Sequence, residues 1–155
     1  MAKNMWIIGI LLIAAGLAGA FWYFKGGSDG EIIRMKIGGQ MFELETARSM
    51  AQKAKGLSGR ETLGKDRGMI FIYEKEGIYP FWMKDTKIPL DIIWINGKGE
   101  VVEIKTAVPQ IGESLDKLKL YQNEQPAKYI IELEGGRAEK LGLKVGNKLT
   151  IPTSI

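Results

Sequence analysis

Neither cysteine nor histidine occurs in the 155 residues. Without cysteine there is no disulfide, no thiol nucleophile and no thiolate metal site, and nothing marks the redox compartment. Without histidine the Ser-His-Asp and Cys-His arrangements, His-ligated zinc and the usual near-neutral general base are excluded. No run of oxygen ligands resembles a calcium loop, and neither glycine-rich nucleotide motif is present. The sequence therefore predicts no metal and no cofactor. A strong excess of one charge is missing too. Of 22 basic residues only Lys3 falls in the first 24 positions, leaving 21 against 18 acidic ones. They are dispersed, with no stripe of Lys and Arg interleaved with aromatics, which argues against a nucleic-acid partner. Chemistry here must come from carboxylates, Lys, Tyr or a bound molecule.

What is present begins with residues 5–24, MWIIGILLIAAGLAGAFWYF, a run without one charge. At about 1.5 Å per residue this makes a helix of roughly 30 Å, the thickness of a bilayer's hydrocarbon core. Trp6 at one end, Phe21, Trp22, Tyr23 and Phe24 at the other, and Lys3 and Lys25 just outside suit the two interfaces. Residues 1–25 thus read as a single transmembrane anchor, with the lipid bilayer as partner. A cleaved signal peptide is the alternative, because Ala18-Gly19-Ala20 has the form of a cleavage site. Cleavage there would leave four aromatics at the new N-terminus. So short a tail favours insertion with the N-terminus in the cytoplasm, which predicts an extracytoplasmic domain. Ala15 with Gly19, and Gly16 with Ala20, have the spacing that lets two helices approach closely, so a helix-mediated homodimer is a further reading.

Residues 26–30 form a Gly-rich linker, and residues 31–155 are enough for one globular domain. Alternation predicts strands at 32–37 and 40–45 around Gly38-Gly39, a pair suited to a tight hairpin turn. Thr46 is placed to cap a helix whose Ala47, Met50, Ala51 and Ala54 recur at helical spacing up to Gly56. Residues 68–73, GMIFIY, are apolar on both faces and read as a central strand. Strands at 91–95 and 100–105 flank Asn96-Gly97, a strong hairpin signal. A strand at 129–134, a short helix ended by Gly142 and a last strand at 148–151 complete the domain. The expected fold is mainly β: six or seven short strands in an antiparallel curled sheet or small barrel, with two short helices.

From position 56 onward the chain carries Gly56-Leu57-Ser58-Gly59-Arg60, Gly68-Met69-Ile70-Phe71, Phe81-Trp82-Met83-Lys84-Asp85-Thr86 and Ile88-Pro89-Leu90-Asp91. Tyr129-Ile130-Ile131-Glu132-Leu133 and Gly142-Leu143-Lys144-Val145-Gly146 follow. Together, over about residues 31–152, these resemble the family known as domain of unknown function 192. Its members are frequently exported or membrane-anchored, and the resemblance implies fold and place rather than an activity. The family pattern has Arg at Lys55, Met at Ser58, Asn at Asp85 and Asp at Asn147.

The densest chemistry lies between Pro80 and Pro89, where aromatics, a cation, an anion and a hydroxyl sit in six consecutive residues. Trp82 can stack a flat ligand while Lys84, Asp85 and Thr86 hydrogen-bond it. The plainer reading puts Phe81 and Met83 in the core and Lys84-Asp85 in a turn. Asp85 and Asp91 are the best carboxylate pair for glycosidic acid-base work, or else turn-makers. Arg60 can clamp an anion, or pair with Asp91 or Glu132. Glu132 lies opposite Tyr129, Ile131 and Leu133 on its strand and is expected to face solvent. The leading expectation is a ligand-binding or interaction module using Arg60, Trp82, Lys84, Asp85, Thr86 and Asp91. A carboxylate-based hydrolase of envelope carbohydrate and a dimeric spacer are the alternatives.

Overall fold

A computed structural model describes residues 30–155. The predicted membrane helix and almost all of the linker lie outside the described residues. Among the described residues no helix is long and apolar enough to cross a membrane.

Two glycine-assisted hairpins frame the sheet. Gly38 and Gly39 take φ of 54° and 85°, left-handed values that glycine adopts without strain. They join β1 (Ile32–Ile37) to β2 (Gln40–Ala47), in antiparallel register from Ile32↔Glu45 to Ile37↔Gln40. At the other end β4 (Leu90–Ile95) and β5 (Val101–Ala107) pair across the Asn96-Gly97 turn. Asn96 holds that turn through its side-chain oxygen, which accepts from the Lys98 and Glu100 amides, both at 3.0 Å. Between the hairpins lie β3 (Arg67–Gly77) and β6 (Ala127–Glu134), giving the order β1-β2-β3-β6-β4-β5.

The sheet departs in two ways from the expected antiparallel curled sheet or small barrel. β2 and β3 are parallel, because the chain crosses between them through α1 (Met50–Lys55) rather than turning back. The sheet also stays open, with β1 and β5 as separate edges. The expected last strand shrinks to one bridge, Glu100↔Lys148, so six strands are formed among the described residues. The first helix starts later than predicted. Ser49, not Thr46, caps it in a reciprocal box with Gln52, while Thr46 and Ala47 extend β2. Ala47 is buried from the strand, and Met50 points to solvent, so this helix buries no face.

Both faces of the sheet are covered, which explains why β4 is buried at every position. On one face Phe42, Leu44, Ile70, Ile93, Ile131 and Leu133 pack under α2 (Arg137–Lys140) and the tail carrying Leu143 and Leu149. On the other, Met69, Phe71, Ile92, Trp94 and Ile130 are roofed by Phe81, Met83 and Tyr121. The roof is held by the antiparallel bridge Phe81↔Tyr121. Gly68 marks a tight point where β2, β3 and β6 meet. A Cβ there would lie 2.5 Å from the Glu132 carbonyl oxygen, 2.7 Å from Leu133 Cδ2 and 2.9 Å from Leu44 Cδ2. Gly68→Ala is expected to cost about 1–3 kcal/mol by overpacking. An unchanged denaturation midpoint would contradict that packing.

Candidate functional site

The roofing segment alternates as a strand does, although it pairs with the fold only through single bridges. Phe81 and Met83 turn into the core, while Trp82 between them is 46% exposed. Phe81 and Met83 are core, as the plainer reading of this segment has it, and Trp82 lines a cavity. Asp85 makes the turn with a φ of 54°, a left-handed conformation tolerated best, among residues with a side chain, by Asn and Asp. That requirement accounts for an amide or carboxylate at this position without a ligand role. The Asp85 carbonyl accepts from Gly59 N at 2.9 Å, tying the turn to the loop after α1.

Beneath Trp82 is a cavity of about 330 Å³ between α1, β3 and the roof. Its walls include Leu57, Phe71, Tyr73, Phe81 and Trp82, with Thr86 buried among them. Lys53, Lys55 and Lys84 also line it. The one carboxyl lining it is Glu132, on the strand at the middle of the sheet. Glu132 registers with Met69 on β3 and Ile92 on β4, both core residues of the roofed face. The expectation that it faces solvent is therefore corrected: it is 4% exposed, because the roof covers the face it shares with Ile130. Its Oε2 has no hydrogen-bond partner.

An unpaired carboxyl in such surroundings resists ionisation. Burial pushes Glu132 up to about 8, so it is mostly protonated at neutral pH and able to donate a hydrogen bond. The neighbouring Tyr73 phenol is raised to about 12, chiefly by burial, then by the charges of Tyr79 and Glu132. Tyr73 is fixed between Tyr79, stacked at 3.6 Å and 17°, and Lys53, whose Nζ lies 4.0 Å from the ring centroid. Burial lowers the Lys53 ammonium, partly offset by the charge of Glu74. Lys84 pairs with Asp85 at 2.6 Å, and that hydrogen bond lowers the exposed Asp85 carboxyl.

The remaining predicted residues lie elsewhere. Arg60 forms a fork with Glu45, at 2.6 and 2.5 Å, rather than the expected pair with Asp91 or Glu132. Asp91 is on the opposite face of the sheet, where it accepts from Thr106 Oγ1 at 2.7 Å and Ala138 N at 2.8 Å. Asp85 and Asp91 thus do not face one another across a common site. Among the described residues no group of acidic side chains is arranged to hold a metal. The predicted set divides into Trp82, Lys84 and Thr86 at the cavity, Asp85 beside it, and Arg60 and Asp91 elsewhere. Glu132, Tyr73 and Lys53 complete the cavity and were not expected there. A signal for Glu132 existed: Ile130 precedes it on the same face, and GMIFIY implies a sheet covered on both sides.

Known proteins carry the same fold. A protein of unknown function from Novosphingobium aromaticivorans is 34% identical with a TM-score of 0.70, over 79% of this chain and 86% of that one. A structure described as a candidate transcription regulator from Sinorhizobium meliloti is 28% identical with a TM-score of 0.67, over 81% and 97% respectively. No curated protein matches. The match to DUF192, described as an uncharacterised ACR, runs over residues 33–151 and takes in nearly the whole described domain, so the chain belongs to the DUF192 family.

Proposed function

We propose that this protein is a membrane-anchored ligand-binding module, displayed outside the cytoplasm by the helix at residues 5–24. The binding site in this reading is the cavity beneath Trp82. The observation that carries it is the Glu132 carboxyl, buried in the cavity wall without a partner for Oε2. Leaving such a group unsatisfied costs about 1–3 kcal/mol or more. Its presence in an aromatic pocket makes sense if a ligand supplies the missing partner. Anchoring rests on the length of the apolar run and its aromatic ends.

The hydrolase reading loses its support, because its two carboxylates sit on opposite faces and Asp91 is engaged by two donors. The transcriptional role named for the Sinorhizobium relative is not carried over, since the balanced, dispersed charges of this chain do not suit a nucleic-acid footprint.

A thermal-shift screen of small molecules against the full-length chain tests the binding reading. A ligand at a hundredfold excess over its Kd stabilises by about 2.7 kcal/mol, which amounts to several degrees in Tm for a domain of this size. Trp82→Ala is expected to weaken such a ligand about tenfold by removing an aromatic wall. Hits whose shifts are the same in W82A and in E132Q would place binding elsewhere and defeat the proposal.

A further inference from the structure

Resting on that reading, the ligand class follows from how charge is arranged around the cavity. Three lysines and one carboxyl line it. The carboxyl is at the floor, 4% exposed, whereas the Lys84 side chain is 41% exposed and so lies toward the mouth. The lysines do not neutralise the carboxyl. Lys84 is paired with Asp85, and Lys53 lies over the Tyr73 ring. Between mouth and floor the walls are aromatic, formed by Phe71, Tyr73, Phe81 and Trp82.

We propose that the cavity takes a small organic anion with a flat apolar body, its acidic group attracted by Lys53 and Lys55 and an acceptor oxygen placed against the Glu132 carboxyl. A cation suits the site less well, because it would have to pass the lysines to reach the acid.

With Glu132 protonated, the lining carries only positive charge, and the buried O–H is a donor with no acceptor. Once Glu132 ionises it repels an anion and can no longer donate. Binding should therefore be linked to one proton. The titratable groups that share the cavity with Glu132 are Lys53 and Lys55 from α1, Tyr73 from β3 and Lys84 from the roof, the last with its partner Asp85 beside the cavity, while β4 sets the apolar Ile92 next to Glu132. Tyr73 is raised to about 12 and does not titrate in the relevant window. Lys53, lowered by burial, weakens anion binding in the same direction as pH rises, so it must be separated from Glu132 by mutation.

The test uses the full-length chain in phosphatidylcholine nanodiscs, with empty nanodiscs as the blank. Three probes share one aromatic body and differ in charge: 2-naphthoate, 2-naphthamide and 2-naphthylmethylammonium. Calorimetry at pH 6.5 is expected to rank naphthoate about tenfold tighter than naphthamide, corresponding to about 1.4 kcal/mol, and the ammonium weakest. Above pH 8 the naphthoate affinity should fall about tenfold per pH unit. Glu132→Gln, which keeps a donor but cannot ionise, should still bind naphthoate and lose the break near pH 8. Lys53→Met should weaken naphthoate severalfold while keeping the break. A preference for the amide or the ammonium, or a break that survives in E132Q, would overturn the anion assignment and leave the binding reading standing. Failure of all three probes to bind at millimolar concentration would overturn both.

Discussion

Glu132→Gln is expected to stabilise the protein strongly at pH 9 relative to wild type and much less at pH 4. The sign follows from proton linkage. In the unfolded chain a glutamate ionises near its ordinary value of 4.5, whereas in the folded protein burial holds Glu132 up to about 8. Between those values the folded state binds the extra proton, so wild-type stability falls as pH rises from about 4.5 and levels off above about 8. The gap corresponds to an order of magnitude of about 5 kcal/mol. Glutamine has nearly the same shape and carries a desolvation cost that does not depend on pH. Chemical denaturation of both proteins at pH 4 and pH 9 reads the difference directly. Parallel pH profiles for the two would show that Glu132 ionises in the folded protein as freely as in the unfolded chain.

Asp91→Ala is expected to cost about 3–4 kcal/mol and to leave the cavity's ligand preferences alone. The carboxylate is buried to 1% exposure and accepts from Thr106 Oγ1 and from the Ala138 amide. Hydrogen bonds to a charged acceptor contribute about 1.5–3 kcal/mol each, and their removal strands the buried Ala138 amide. There is a structural reason for the arrangement. α2 has only four residues, too few to hold a helical conformation by itself, and depends on docking against β6 and on the bond from Asp91 of β4. Asp91 reaches from β4 to the first turn of that helix, and Ala138 buries its methyl beside Leu143 on the same face of the sheet. The variant should therefore show faster amide exchange across residues 137–143 as well as a lower denaturation midpoint. A D91A protein with wild-type stability and unchanged exchange there would mean that Asp91 is kept for another purpose.

Much of the fold was legible wherever local chemistry dictated it. Gly38-Gly39 and Asn96-Gly97 announced their hairpins because turns with positive φ leave few residue choices. GMIFIY announced a covered strand because neither face alternates with polar residues. Pairing between distant segments was not legible. Nothing in residues 46–66 announces that β3 returns parallel to β2, since the crossover helix is a single short, exposed segment. The all-antiparallel curled sheet or barrel was expected for the same reason: tight turns suggest neighbours in sequence order, and the insertion of β6 between β3 and β4 is a long-range event.

The site was half legible. Trp82, Lys84 and Thr86 stood out because a mixed run between two prolines is unusual in a connecting segment. Glu132 did not, because a glutamate alternating with Ile131 and Leu133 looks like the solvent side of an amphipathic strand. Its burial is imposed by residues 78–90 folding over the sheet, a tertiary event that alternation along one strand cannot register. Arg60 and Asp91 were drawn into the expected site by residue type alone. Each is held by a partner that local pattern could not identify, Glu45 for the first and the α2 amide for the second.

Both the ligand preference and the stability profile depend on Glu132 being protonated in the cavity wall at neutral pH. Carbon-13 labelling of the glutamate side-chain carboxyls, followed by NMR titration from pH 3 to pH 10, tests it most directly. One carboxyl resonance, absent from the spectrum of E132Q, should titrate with a midpoint near 8. A midpoint for that resonance near the ordinary value of 4.5 would contradict the claim.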